Sequence, residues 1–104
     1  MLTQIINARI LTPQGWLKDG SVIIRDSKIL AVTDCDLAVV GAEVIDAKGN
    51  YVAPGLIDIH IHGYLGEDTC DAKPEGIKKM AYGVAQNGVT SFLPTTMTVA
   101  KNEI

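Results

Sequence analysis

Apolar and polar residues alternate in short runs through positions 2–34, and turn-forming residues separate the runs, so the pattern predicts a hairpin-rich sheet. The runs are Leu2 to Leu11, Trp16-Leu17, Ser21 to Arg25 and Lys28 to Thr33. Between them lie Pro13-Gln14-Gly15, Lys18-Asp19-Gly20 and Asp26-Ser27, and the Asp19-Gly20 pair favours a tight reversal. Val44-Ile45-Asp46 and Tyr51-Val52 read as two more strands, with Ala47-Lys48-Gly49-Asn50 as a hairpin between them. Val22, Ile24 and Ile29 supply burial, and the lone Trp16 is expected to pack on this module. Such a meander has an apolar face that a second sheet would cover.

The pattern changes at Ala53-Pro54-Gly55, because proline gives no amide to a ladder and restricts its predecessor. The boundary predicts one unit over 1–53 and another over 54–104. The second unit reads as a strand over 56–62, a Gly-rich loop over 63–73, a helix over 74–87 and a strand over 89–95. Pro74 and Glu75 suit the first helical turn, Ile77, Met80, Ala81, Val84 and Ala85 recur on one face, and Gly88 is the expected stop. A right-handed crossover would make the two strands parallel neighbours. Thr98 to Glu103 resembles the start of a further helix capped by Thr98. One such unit cannot finish a parallel sheet, so the expectation is a portion of a longer enzyme or a chain whose partner supplies the missing layers.

Chemistry concentrates at Asp58-Ile59-His60-Ile61-His62-Gly63. In an extended segment Asp58, His60 and His62 share one face and Ile57, Ile59 and Ile61 the other, so two imidazoles can approach one ion. Two histidines do not complete a zinc shell, and the plain alternative is a polar strand end. Asp58 reads either as an outer partner that orients an imidazole or as a structural carboxylate. Gly63 and Gly66 allow a sharp turn beside the pair but lack phosphate-loop spacing. Thr95 and Thr96 end the second strand, near the mouth or at the cap of the next helix.

Composition narrows the partners. Nine Lys and Arg against twelve Asp and Glu give a formal charge of -3, with no basic run, which argues against nucleic acid. The apolar runs are strand-sized and no signal-peptide pattern opens the chain, so no membrane role is expected and the cytoplasm is the default address. Cys35 and Cys70 are expected as free thiols; Cys70 is near enough in sequence to be weighed as a ligand, though Asp-Thr-Cys-Asp reads as surface loop.

The segment Pro54-Gly55-Leu56-Ile57-Asp58-Ile59-His60-Ile61-His62-Gly63 resembles the first barrel strand of the amidohydrolase superfamily, where a His-x-His pair holds divalent metal. Gly88-Val89-Thr90-Ser91-Phe92-Leu93-Pro94-Thr95-Thr96, with Met80-Ala81-Tyr82-Gly83 before it, resembles more narrowly the N-acetylglucosamine-6-phosphate deacetylase family. Ile5 to Leu11 and Gly20 to Ile24 are similar to the small β domain that precedes such barrels. The resemblance implies an α/β TIM barrel of the metal-dependent hydrolase type with a small flanking β-sandwich domain. This chain would hold the sandwich's first strands and the barrel's first βαβ unit, in a protein about four times its length.

The same resemblance implies His60 and His62 as metal ligands, with Asp58 and Gly63 as outer or structural residues. The ion would be divalent, Zn2+ foremost, with Fe2+, Co2+ and Ni2+ as alternatives. Family members with glutamine at the first histidine are associated with a single metal, whereas His60 leaves a second position open. A glutamate, two more histidines and the proton-handling aspartate would lie beyond Ile104, as would the sugar-phosphate contacts, partly across a homodimer. The activity implied is removal of the acetyl group from N-acetylglucosamine 6-phosphate, with the chain inactive by itself. Alternatives are another amidohydrolase, such as a dihydroorotase or hydantoinase, and a non-catalytic structural or interaction module.

Overall fold

The computed structural model describes residues 1–103, which divide into two compact units, Met1–Pro54 and a second from Gly55 onward. The first unit is one mixed sheet of five strands: β1 (Leu2–Thr12), β2 (Gly15–Arg25), β3 (Lys28–Thr33), β4 (Glu43–Asp46) and β5 (Tyr51–Val52). β1 and β2 pair antiparallel, as do β2 and β3, with Pro13-Gln14 and Asp26-Ser27 at the turns. β4 and β5 both run parallel to β1 along its other edge.

Asp19-Gly20 is not a reversal. β2 passes straight through it, and Asp19 takes a left-handed φ of 55° as part of a bulge. Ile5 pairs with Val22 and Ala8 with Gly20, so β1 carries an extra residue there; Ala8 to Ile10 then faces Gly20 to Leu17, so β2 carries the next. The two irregularities cancel. Their effect is on facing: with the extra residue at Asn7 (φ 52°), Ile5, Ala8 and Ile10 point one way, and Leu17, Gly20, Val22 and Ile24 follow in β2. Strict alternation would have put Arg9 and Lys18 on that face. Ala8, Ile10 and Val22 are buried, with Ile5, Leu17, Ile24, Ala47 and Val52 packed against them.

The expected hairpin at Ala47–Asn50 is also corrected. β4 and β5 do not pair with each other; the segment between them makes a jog that stays bonded to β1 through Ala47 N–H to Ile6 O (2.9 Å) and Gly49 N–H to Asn7 O (2.7 Å). Asp46 holds the jog by accepting from Asn7 Nδ2 (2.9 Å) and from Lys48 N–H (2.8 Å). Those bonds, the Asn7 side chain first, keep the Asp46 carboxyl below its ordinary pKa. At the same edge, buried Gln4 donates to the Leu37 carbonyl at 2.6 Å, tying down the segment that carries the chain from β3 to β4. Trp16 stands exposed against Tyr51, edge to face at 5.2 Å, outside the buried cluster.

The second unit has β6 (Leu56–Ile61), a hairpin of β7 (Gly63–Tyr64) and β8 (Glu67–Asp68), a 3-10 turn at Thr69–Asp71, helix α1 (Pro74–Ala85) and β9 (Val89–Pro94). β6 and β9 are parallel, as the crossover requires. The predicted loop 63–73 contains the hairpin, whose turn Leu65-Gly66 has two positive φ angles, 54° and 78°. α1 stops two residues earlier than expected: Gly88 takes a φ of 83°, and Asn87 Nδ2 donates to the Gly83 carbonyl (3.1 Å). Its buried face keeps Met80 and Val84 of the expected set and adds Gly76 and Gly83, while Ile77 and Ala81 are half-buried and Ala85 is exposed. The glycines explain the rotation, since a Cβ on Gly83 would meet the side chains of Tyr64 and Leu65, and one on Gly76 would meet Glu67. The helix lies against the hairpin. Lys79 Nζ to Glu67 Oε1 (2.7 Å) fastens that contact and holds the Glu67 carboxyl below its ordinary pKa. The helix expected from Thr98 is, among the described residues, a single 3-10 turn at Lys101–Glu103.

Candidate metal centre

His60 and His62 come from the C-terminal end of β6, the end at which parallel α/β sheets expose their loops. β6 is irregular where it carries them. Leu56 to Ile57 of β6 faces Val89 to Ser91 of β9, and Asp58 to Ile61 faces only Phe92 to Pro94. These bulges cancel, and the second one lies at Ile59-His60, where it re-aims the imidazole. It also takes the His60 amide out of the ladder, and Asp58 Oδ1 accepts that N–H at 3.0 Å. Asp58 is half-buried, and its carboxylate is turned along its own strand toward a backbone amide.

The two rings stand edge to face, centroids 4.8 Å apart, with Nε2 of His60 3.1 Å from Nε2 of His62. Two nitrogens at that separation fit one ion at the usual zinc–nitrogen distance of about 2.0–2.1 Å with an angle of roughly 100° between the bonds. Nδ1 of His62 lies 2.9 Å from the Thr95 carbonyl oxygen. A carbonyl only accepts, so in the neutral ring Nδ1 carries the proton and Nε2 is left as the bare nitrogen facing His60. The donor set therefore fits a divalent ion, as a partial site. Among the described residues no group of three or more His, Cys, Asp or Glu side chains comes together as a fuller shell.

Gly63 has no room for a side chain, because a Cβ there would stand 2.5 Å from the Glu67 carbonyl oxygen. It lets the chain leave β6 directly into the hairpin. Cys70, weighed as a ligand, accepts the Met97 N–H on its sulfur (3.1 Å) and stays a free thiol, as does Cys35. Thr95 does lie at the site, but through its carbonyl; its hydroxyl turns back to Leu93 O (3.0 Å). Sequence reading had no side-chain signal for that contact. No helix among the described residues is long and apolar enough to cross a membrane.

Comparison with known proteins places this arrangement. Over 104 residues the chain is 35% identical to an N-acetylgalactosamine-6-phosphate deacetylase of Escherichia coli O157:H7, covering 99% of this chain and 26% of that protein. It is also 37% identical over 101 residues to a dihydroorotase of Halalkalibacterium halodurans, covering 95% of this chain and 23% of the other. In structure it matches the N-acetylglucosamine-6-phosphate deacetylase of Pasteurella multocida with a TM-score of 0.90 and 25% identity, over 99% of this chain and 27% of that one. The resemblance to the N-terminal part of the amino-sugar-phosphate deacetylases holds. The chain spans about a quarter of the length of the curated relatives it matches. Residues 43–99, more than half of the chain and including β6, α1 and β9, match the model of the Amidohydrolase family, and the chain belongs to that family.

Proposed function

We propose that the intact protein is a metal-dependent hydrolase that removes the acetyl group from N-acetylglucosamine 6-phosphate, giving glucosamine 6-phosphate and acetate. The observation that carries this reading is the 3.1 Å approach of the His60 and His62 Nε2 atoms at the end of β6, in a chain 35% identical to an amino-sugar-phosphate deacetylase. His60 and His62 would hold the ion. A divalent ion, zinc foremost, supplies Lewis acidity toward water and the amide carbonyl when bound. This chain's residues hold and aim: the Thr95 carbonyl keeps the proton on Nδ1 of His62, Asp58 secures the bulge that turns His60, and Gly63 clears the exit.

The proton-handling carboxylate, the other ligands and the sugar-phosphate contacts belong, by the resemblance, to later barrel strands and to a homodimer partner. The proposed fold is accordingly a (β/α)8 barrel with a flanking β-sandwich domain, the unit 54–104 opening the barrel and 1–53 the sandwich. The 104-residue chain by itself is expected to be inactive. A second reading is a cyclic-amide hydrolase, favoured by the 37% identity to a dihydroorotase.

Purified intact protein is expected to release acetate from N-acetylglucosamine 6-phosphate, to stop when chelated, and to recover with added Zn2+. N-acetylgalactosamine 6-phosphate and dihydroorotate are the comparison substrates. Turnover of dihydroorotate with no acetate from either sugar phosphate would replace the first reading with the second. His60→Ala and His62→Ala should each lose both the ion and turnover.

A further inference from the structure

We propose that Thr95, through its backbone carbonyl, selects the ligand nitrogen of His62, and that the Cys70 thiol is the side chain that holds Thr95 in place. This rests on the reading that His62 serves an ion. In the β6–β9 ladder Thr95 N–H donates to Ile61 O at 2.8 Å, and extended geometry sends the Thr95 carbonyl toward the same neighbour. Had β6 continued, the next ladder donor there would have been Gly63 N–H. Instead β6 ends at Ile61, Gly63 begins the hairpin, and His62 Nδ1 takes the vacated position at 2.9 Å. The strand end thus substitutes a ring N–H for a backbone N–H. The choice of tautomer is written into the ladder.

Three hydrogen bonds close a circuit around this point. The His62 carbonyl accepts from Thr69 N–H at 2.8 Å, the adjoining Cys70 sulfur accepts from Met97 N–H at 3.1 Å, and Met97 leads back through Thr96 to Thr95, whose carbonyl meets the His62 ring. His62 is held at its backbone and at its ring by two segments that the thiol joins. Apart from the imidazole itself, Cys70 contributes the only side-chain atom in the circuit. Cys70 and Thr95 are positioning residues: neither needs to touch substrate or ion.

The test uses intact protein with 15N-labelled histidine, stripped of metal, near pH 8.5, about two units above an ordinary imidazole pKa. The His62 resonances, assigned by their loss in His62→Gln, are expected to report Nδ1–H and a bare Nε2. An Nε2–H form in the native protein would overturn the proposal. Cys70→Ala should let the second tautomer appear and weaken zinc affinity about tenfold, the low end for loss of an outer-sphere partner. Cys70→Ser, which keeps an acceptor, should restore most of both. If Cys70→Ala does not fold, Cys70→Val, which fills the volume without accepting, takes its place. Native tautomer and affinity in the non-accepting variant would remove Cys70 from the proposal. The tautomer is read without turnover, so a protein with bare Nε2 that releases no acetate fails the proposed function alone, and an active protein with Nε2–H fails this inference alone.

Discussion

Each unit has one strand pair, β1–β2 and β6–β9, that breaks register twice and then restores it, but for different ends. In the sheet of Met1–Pro54 the extra residues at Asn7 and Asp19 keep Ile5, Ala8 and Ile10 on the buried face opposite Leu17, Val22 and Ile24. In the β6–β9 pair the extra residues fall at Thr90 and at Ile59-His60, with positive φ at none of them. There the irregularity aims a histidine, and Leu56, Ile57, Ile59 and Leu93 stay exposed. The same device serves packing in one unit and sets the direction of a histidine in the other. The first draws on the readiness of Asn and Asp to take left-handed backbone, the second on a carboxylate that replaces a lost ladder bond.

The largest expected effect comes from removing one half of a compensated pair. Asn7→Val removes both the side chain that tolerates a φ of 52° and the bond to Asp46; if the bulge then straightens with the chain length unchanged, strict alternation brings Arg9 to the buried face. A loss of about 3 kcal/mol is expected, read by urea unfolding and by exchange of the Ile5 and Ala8 amides. A native-like melt would mean that the sheet does not depend on the bulge.

Next is Gly55→Ala. A Cβ there would run into Oγ1, Cγ2 and Cβ of Thr90, at the bulge of β9. About 1–3 kcal/mol should be lost by thermal unfolding, and Thr90→Gly should return most of it. Additive losses in the double variant would separate the glycine from the bulge.

Asp58→Ala takes the acceptor from the exposed His60 amide, at about 1 kcal/mol by chemical denaturation, and should weaken zinc binding more than stability, while Asp58→Asn keeps both. Equal behaviour of the two variants would make the carboxylate charge, not the bulge, the relevant property.

The smallest effect is a pH dependence. The Lys79 bond holds the Glu67 carboxyl below the ordinary 4.5, so folding is favoured above that value and the advantage disappears as pH falls through the lowered one. Lys79→Gln should narrow its stability gap to the native protein on acidification below about 4.5, as acid titration of the two melts would show. A gap that widens would reverse the assignment.

How much of this was readable in the chain follows from the same contrast. The β6–α1–β9 order was legible because apolar runs, Pro74 and Gly88 mark it locally. The spacing Ile5-x-x-Ala8-x-Ile10 and Leu17-x-x-Gly20-x-Val22 held the bulges in plain view, yet Asp19-Gly20 has the same composition as a turn, and only the partner strand decides between them. The parallel course of β4 and β5 depends on β1, some forty residues away in sequence, so local pattern could not supply it. At the site the imidazole pair announced itself. Its partner Thr95 could not, because a carbonyl is common to every residue.

Anomalous diffraction at the zinc edge from crystals of the intact protein is the most direct measurement. A peak about 2.0–2.1 Å from both Nε2 atoms, with Nδ1 of His62 still on the Thr95 carbonyl, is the expected result. Zinc at saturating concentration with no peak between the two rings, or rings turned away from each other, would contradict it.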